Sequence, residues 1–205
     1  GFVMRNILVL IGIIVFVAVL ISFVLQFLRN SKQKQFMYLL QNNEFDTLYK
    51  KIDSFYTKSI FPEYNREYVR LNALIMQDRK EEIDATFGKL IPMAKDKNAK
   101  IDILDKAFEY YVYDENQEKC DQIIKELEKL DDEKMLKHTK MMYDIMILKK
   151  SNHIKELEKD FDKQPVMQRV TNAYLLSVQY KNKGNEEKAQ YYENVSKSLV
   201  EGSKG

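Results

Sequence analysis

The pattern of apolar and polar positions changes once, sharply, along this chain. From Ile7 to Leu28 the sequence runs ILVLIGIIVFVAVLISFVLQFL, 22 residues without a charge. As a helix this stretch spans roughly 33 Å at 1.5 Å per residue, against a bilayer hydrocarbon core of about 30 Å. A soluble core helix is not apolar on every face for six turns, so the stretch reads as a single-pass transmembrane helix. After it, from Gln35 onward, apolar residues recur with the spacing of amphipathic helices. Short polar breaks punctuate them: QNNE at 41–44, QDRKE at 77–81, YDENQ at 113–117, KKSNH at 149–153 and NKGNE at 182–186. With Asn43, Asp78, Glu115, Ser151 and Gly184 as markers, the intervals are 35, 37, 36 and 33 residues.

Apolar residues return at fixed offsets from these markers. Five positions on stand Leu48, Ile83, Cys120 and Ala189; nine on, Ile52, Phe87 and Ile124; twelve on, Phe55, Leu90 and Leu127. All are expected in a core. The fourth unit, with Ile154, Leu157 and Phe161, runs in a slipped register. Pro62, Pro92 and Pro165 fall between the expected hairpins, where a helix stops or starts. No glycine or proline separates Leu28 from Gln41. The membrane helix and the first repeat helix are therefore expected to be joined, with Asn30–Ser31 as the place for a kink.

A period near 34 built of two helices is the signature of tetratricopeptide arrays, in which one hairpin covers its apolar face with the next. The last unit, AYLLSVQYKNKGNEEKAQYY, resembles that repeat. Tyr174 stands near the usual aromatic, Leu176 at the leucine, Ser177 at the small residue and Tyr180 at the tyrosine, with Gly184 and Ala189 following. The earlier units keep the period but lack the glycine. The resemblance covers Gln35–Leu199 in outline. It implies an all-α fold: an anchor over 1–30, a tetratricopeptide-like α-solenoid of about five hairpins over 31–200, and a disordered tail at 201–205. The opening GFVMRN also resembles a type IV pilin processing site, but Asn6 stands where that family has Glu, and the helical remainder is unlike a pilin.

Composition narrows the function classes. Lys and Arg total 33 against 31 Asp and Glu, which gives no electrostatic reason to expect nucleic acid as a partner. One cysteine, Cys120, excludes an internal disulfide. Lys, Asn and Ile are abundant, which points to an AT-rich bacterial genome. Arg5 and the α-amine flank the apolar run on one side; Arg29, Lys32 and Lys34 flank it on the other. The positive-inside rule then favours, by about one charge, a cytoplasmic repeat domain over an extracytoplasmic one.

Chemistry is sparse. His138 and His153 stand near opposite ends of one expected helix and cannot share a metal. No zinc, phosphate-loop or nucleophile-elbow motif occurs. The carboxylates read as helix caps and partners for lysine, and Cys120 as packing. No cofactor and no enzymatic activity are expected. In FEYYVYD, 108–114, Tyr111 is expected to pack and Tyr110 or Tyr113 to line a surface. Met142 and Met146 share a helix face and suit either a peptide groove or core filling.

If the repeats stack as the resemblance implies, the first helix of each pair lines a concave face. Counting back from the turns places there Asn65, Tyr68 and Asn72, then Asp102, Asp105 and Glu109, then Met142 and Met146, then Tyr174 and Val178. The acidic trio would repel a C-terminal carboxylate and suits a basic or mixed peptide. The expected function is a membrane-anchored scaffold or adaptor that holds a protein or peptide on this face. The alternative is an accessory subunit of a larger membrane complex, of the secretion, translocon or cell-envelope kind. Its membrane helix would pack on partners through its small residues Gly12, Ala18 and Ser22.

Overall fold

The computed structural model describes the backbone of residues 2–202 and side chains from Ile13 onward. The described residues are helical throughout, without a strand. Eleven α-helices follow one another: α1 Phe2–Gln41, α2 Phe45–Ile52, α3 Phe55–Ile60, α4 Glu63–Met76, α5 Lys80–Met93, α6 Lys97–Tyr113, α7 Gln117–Glu128, α8 Glu133–Met146, α9 Ile154–Glu158, α10 Val166–Asn182 and α11 Glu186–Gly202. A 3₁₀ turn, Phe161–Lys163, joins α9 to α10. The chain forms two compact units, Gly1–Ala94 and Lys95–Gly205.

Helix α1 is 40 residues long and unbroken through Asn30–Ser31. It is the one helix among the described residues long and apolar enough to cross a membrane. Every side chain from Ile13 to Val24 is exposed. The same helix then turns its face inward: Phe36, Leu39 and Leu40 are buried with Leu48, Ile52, Ile60 and Phe61 in the core of the first unit. The apolar run and the first helix of the folded unit are thus one element. Ser22 donates its hydroxyl to the Ala18 carbonyl at 2.9 Å, so this pair of small residues is bonded along its own helix. Gly12 lies outside the described side chains.

The turns within the helix pairs share one backbone geometry. Asn43, Asp78, Glu115, Lys149 and Gly184 all have positive φ, between 52° and 76°. At four of them the next residue's N–H reaches back five residues: Glu44 to the Leu39 carbonyl, Arg79 to Leu74, Asn116 to Tyr111 and Asn185 to Tyr180, at 2.8–3.1 Å. This is the left-handed C-cap that closes a helix by satisfying its last carbonyls. The next helix starts at once; Asn116 and Asn185 also cap it, accepting from Lys119 N and Lys188 N. The intervals between these residues are 35, 37, 34 and 35. The expected marker Ser151 is replaced by Lys149.

Burial follows the turns. Leu48, Ile83, Cys120 and Ala189, each five positions past a turn, are 0% exposed. Two positions depart from the expected pattern. Ile123 rather than Ile124 is buried on α7, with Cys120 and Leu127. Phe55 is 89% exposed. The reason is local: α2 ends at Ile52, and Ser54 Oγ accepts from Thr57 N at 3.2 Å to start a new helix. That restart turns Thr57 and Ile60 inward and leaves Phe55 outside.

Three further expectations are corrected. Pro92 lies inside the last turn of α5, not between hairpins; its missing N–H falls where the ladder is ending. The helix expected to carry both histidines is broken after Met146, so His138 lies on α8 and His153 precedes α9. The tail is partly helical, because α11 includes Glu201 and Gly202; residues 203–205 lie outside the described residues.

Candidate groove of the second unit

The second unit carries a groove of about 700 Å³ between helices α6, α8, α9 and α10. Glu109 of α6 forms one edge. Lys134, Lys137, His138 and Met141 of α8 form the floor, and Gln168, Thr171 and Asn172 of α10 the opposite side. Positions 134, 137, 138 and 141 fall on one helical face, three and four residues apart. The adjoining face of α8 carries Thr139, Met142, Ile145 and Met146 into the core.

Met142 and Met146 are therefore core residues, 5% and 7% exposed, and not groove-lining as the turn count had them. Met141 takes that place. On α10, Val178 is half-buried, and Tyr174 is 37% exposed, its ring 6.1 Å from that of Tyr113. Tyr111 packs at 4% exposure while Tyr113 is exposed, which resolves the tyrosine-rich stretch. In the first unit Asn65 is exposed, while Tyr68 and Asn72 are half-buried. The rings of Tyr64 and Tyr68 lie 6.1 Å apart. These three belong to α4 and form no part of the second unit's groove.

Electrostatically the groove is mixed. Asp105 is half-buried, and Asp102 is exposed a turn earlier. Burial raises the Asp105 carboxyl above its usual range; the nearby His138 opposes that shift and Asp102 adds to it. Glu109 is raised too, by partial withdrawal from water and then by Asp105, with Lys106 and His138 opposing. On the far side Glu156 binds the Lys137 ammonium at 2.8 Å, and its carboxyl is held below the usual range chiefly by that bond. The groove thus presents acid at one edge and paired charge at the other, around an exposed imidazole.

Elsewhere two titratable groups, Asp144 and Cys120, have structural roles. Asp144 gathers Lys150 at 2.8 Å and His153 Nε2 at 3.0 Å. Burial opposes the shift, yet these partners hold its carboxyl below the usual range. This knot fixes the loop that displaces the fourth turn. Cys120 is fully buried, and loss of water raises its thiol to about 12, with Asp121 adding to the shift. Among the described residues no group of three or more His, Cys, Asp or Glu could hold a metal ion.

Sequence reasoning missed Lys134, Lys137, His138 and Met141. The i, i+3, i+4, i+7 spacing of these residues was available as a signal. Both faces of α8 carry methionine, however, and only packing shows which one turns inward. No family model matches this chain, and no curated protein and no solved structure matches it either.

Proposed function

We propose that this chain is a membrane-anchored, non-enzymatic adaptor whose second unit holds a segment of another protein in the groove between α6, α8 and α10. The observation that carries the reading is α1 itself. Its side chains from Ile13 to Val24 are exposed on every face, yet the same helix continues unbroken into a folded core. A contiguous apolar surface of that length needs a nonpolar surround, and lipid supplies it without a protein partner. Anchoring confines the groove to two dimensions and raises its effective concentration near membrane partners. The repeated left-handed turns support a tetratricopeptide-like array, in which a preformed groove binds with little backbone ordering. Glu109 at the groove edge, with Asp105 a turn behind it on α6, suits a basic or mixed-charge segment.

The test is site-specific photo-crosslinking of the full-length chain in native membranes, with the crosslinker at Met141, at Phe16 or at Lys183. A protein adduct from Met141, absent from Lys183 and reduced by Glu109→Lys, supports the adaptor. An adduct from Phe16 alone supports instead a subunit whose apolar helix packs on its partners. Identical products from Met141 and Lys183 would remove the groove from the account.

A further inference from the structure

Helix α3 is the element of the first unit that the adaptor reading leaves unexplained. It is six residues long and cleanly two-sided: Thr57 and Ile60 are buried, whereas Phe55 is 89% and Tyr56 46% exposed. Of the phenylalanines outside the apolar run, Phe36, Phe61, Phe87 and Phe108 are buried and Phe45 and Phe161 are half-buried. Among those with described side chains, Phe55 is the one presented to the surroundings.

The height of α3 along α1 is fixed by three contacts. Arg29 Nε donates to the Ile60 carbonyl at 2.6 Å. Leu25 and Leu28, the last turn of the apolar run, pack against the cluster that contains Ile60 and Phe61. The Lys32 ammonium sits 5.1 Å from the centroid of the Tyr56 ring. The C-terminal end of α3 therefore lies level with the last apolar turn of α1, and its N-terminal end about one turn beyond. Six residues of helix are roughly 9 Å long, so a helix at this height spans the headgroup layer, about 5–7 Å on each side of the hydrocarbon core.

The unpaired charge on α3 and the adjoining stretch of α1 is basic. Residues 29–43 and 54–61 contain Arg29, Lys32, Lys34 and Lys58 and no carboxylate; the flanking Asp53 and Glu63 are paired with Arg70 and Lys89. Aromatic rings beside lysine and arginine are the composition that settles at a membrane interface, and each such cation close to an anionic leaflet contributes about 1 kcal/mol.

We propose that α3 is a second membrane contact, standing beside α1 in the headgroup layer of an anionic bilayer at the point where α1 leaves it, with Tyr56 and Phe55 presented to that layer. This rests on the reading of α1 as a membrane span. Two points of attachment, α1 through the bilayer and α3 on it, fix the tilt of the first unit as well as its distance from the surface.

The chain contains no tryptophan, so a single introduced indole is an unambiguous reporter. Full-length Phe55→Trp and Phe16→Trp chains are reconstituted into phosphatidylcholine vesicles with and without phosphatidylglycerol. Emission is read with lipids brominated near the headgroup end or near the terminus of the acyl chain. The expected result is loss of most F16W emission with the deep bromines. F55W loses most of its emission, with a blue shift, to the shallow bromines, and loses less when phosphatidylglycerol is omitted or Lys58→Glu is added. Quenched F16W with silent F55W overturns the proposal and leaves the span standing, as it would if a second protein covered Phe55. Silence at both positions overturns both. Equal F55W quenching in neutral and anionic vesicles overturns the anionic assignment. Phe55 makes no core contact, so its replacement leaves the fold intact.

Discussion

Tyr180 and Tyr192 stack with ring centroids 5.7 Å apart and planes 5° from parallel, and their hydroxyls meet on one oxygen of Glu158, at 2.7 and 3.0 Å. The pair joins the last hairpin to the short α9 before it. Burial, and then the Glu158 carboxylate, raises both phenols above their usual range. Removing the acceptor takes the partner from both hydroxyl protons, one on a residue only 5% exposed whose oxygen still accepts from Lys188 Nζ at 3.3 Å. Glu158→Ala is expected to cost about 2–3 kcal/mol of stability, read as a lower urea midpoint in a detergent-solubilised full-length chain. Glu158→Gln, which can still accept, should cost less than half of that. Equal losses in the two variants would show that the side chain's packing, not its acceptor oxygen, matters.

The left-handed turns give a graded prediction. Gly184, at φ 76°, adopts its conformation without penalty. An alanine there meets no atom within 4 Å but is strained by the backbone, and should cost about 1–2 kcal/mol. The converse substitutions should stabilise. Glu115→Gly relieves a residue poorly suited to φ 52° and should gain about 1 kcal/mol; Asn43→Gly should gain only a few tenths, because asparagine tolerates this region. Equilibrium denaturation of the three variants gives the order. A Glu115→Gly chain no more stable than Asn43→Gly would contradict it.

Asp105 makes stability depend on pH in a definite direction. Its folded carboxyl is raised, so the folded state holds a proton that the unfolded chain has already released. Its penalty is present in full above the raised value and is relieved as pH falls towards the unfolded value of about 3.9. Asp105→Asn should therefore stabilise the protein at pH 7, with the gain shrinking to nothing near pH 4. Thermal unfolding of the variant and the parent across that range checks this. A gain independent of pH would assign the effect to something other than ionisation.

Cys120 offers a probe of the second unit's opening. With its thiol at about 12, about one molecule in ten thousand carries a thiolate at pH 8, and the side chain is fully buried. Alkylation of the native chain should be slower by several orders of magnitude than that of the urea-unfolded chain, and should follow the stability of the variants above. Rapid labelling in the native state would place the thiol at an accessible position.

The turns were the most legible part of the fold, because each carries a cluster of polar residues with a known backbone preference. Four of the five markers coincide with the left-handed residue itself. The fifth was misplaced by two positions: Asp144 binds Lys150 and His153 and so fixes the loop, a long-range arrangement that no local propensity encodes. Phe55 was misread because its spacing from Ile52 continues a helical pattern, while Ser54 acts as a cap that restarts it. The inner face of α8 was misread by a shift of one residue, from Met141 to Met142. A methionine on either face satisfies the same periodicity, and burial decides between them only after neighbouring helices are in place.

The continuity of α1 has a mechanical consequence. With no loop between Leu28 and Phe36, the first unit cannot swivel independently of the apolar half of the helix. Each residue of helix advances the azimuth by about 100° and the height by about 1.5 Å. One residue inserted between Ser31 and Lys32 would swing Phe23 and Phe27 about a quarter-turn around the axis relative to the core held by Phe36 and Leu39. Whatever grips the apolar half of the helix thereby sets the compass bearing of the folded part, as a key sets the bolt it turns.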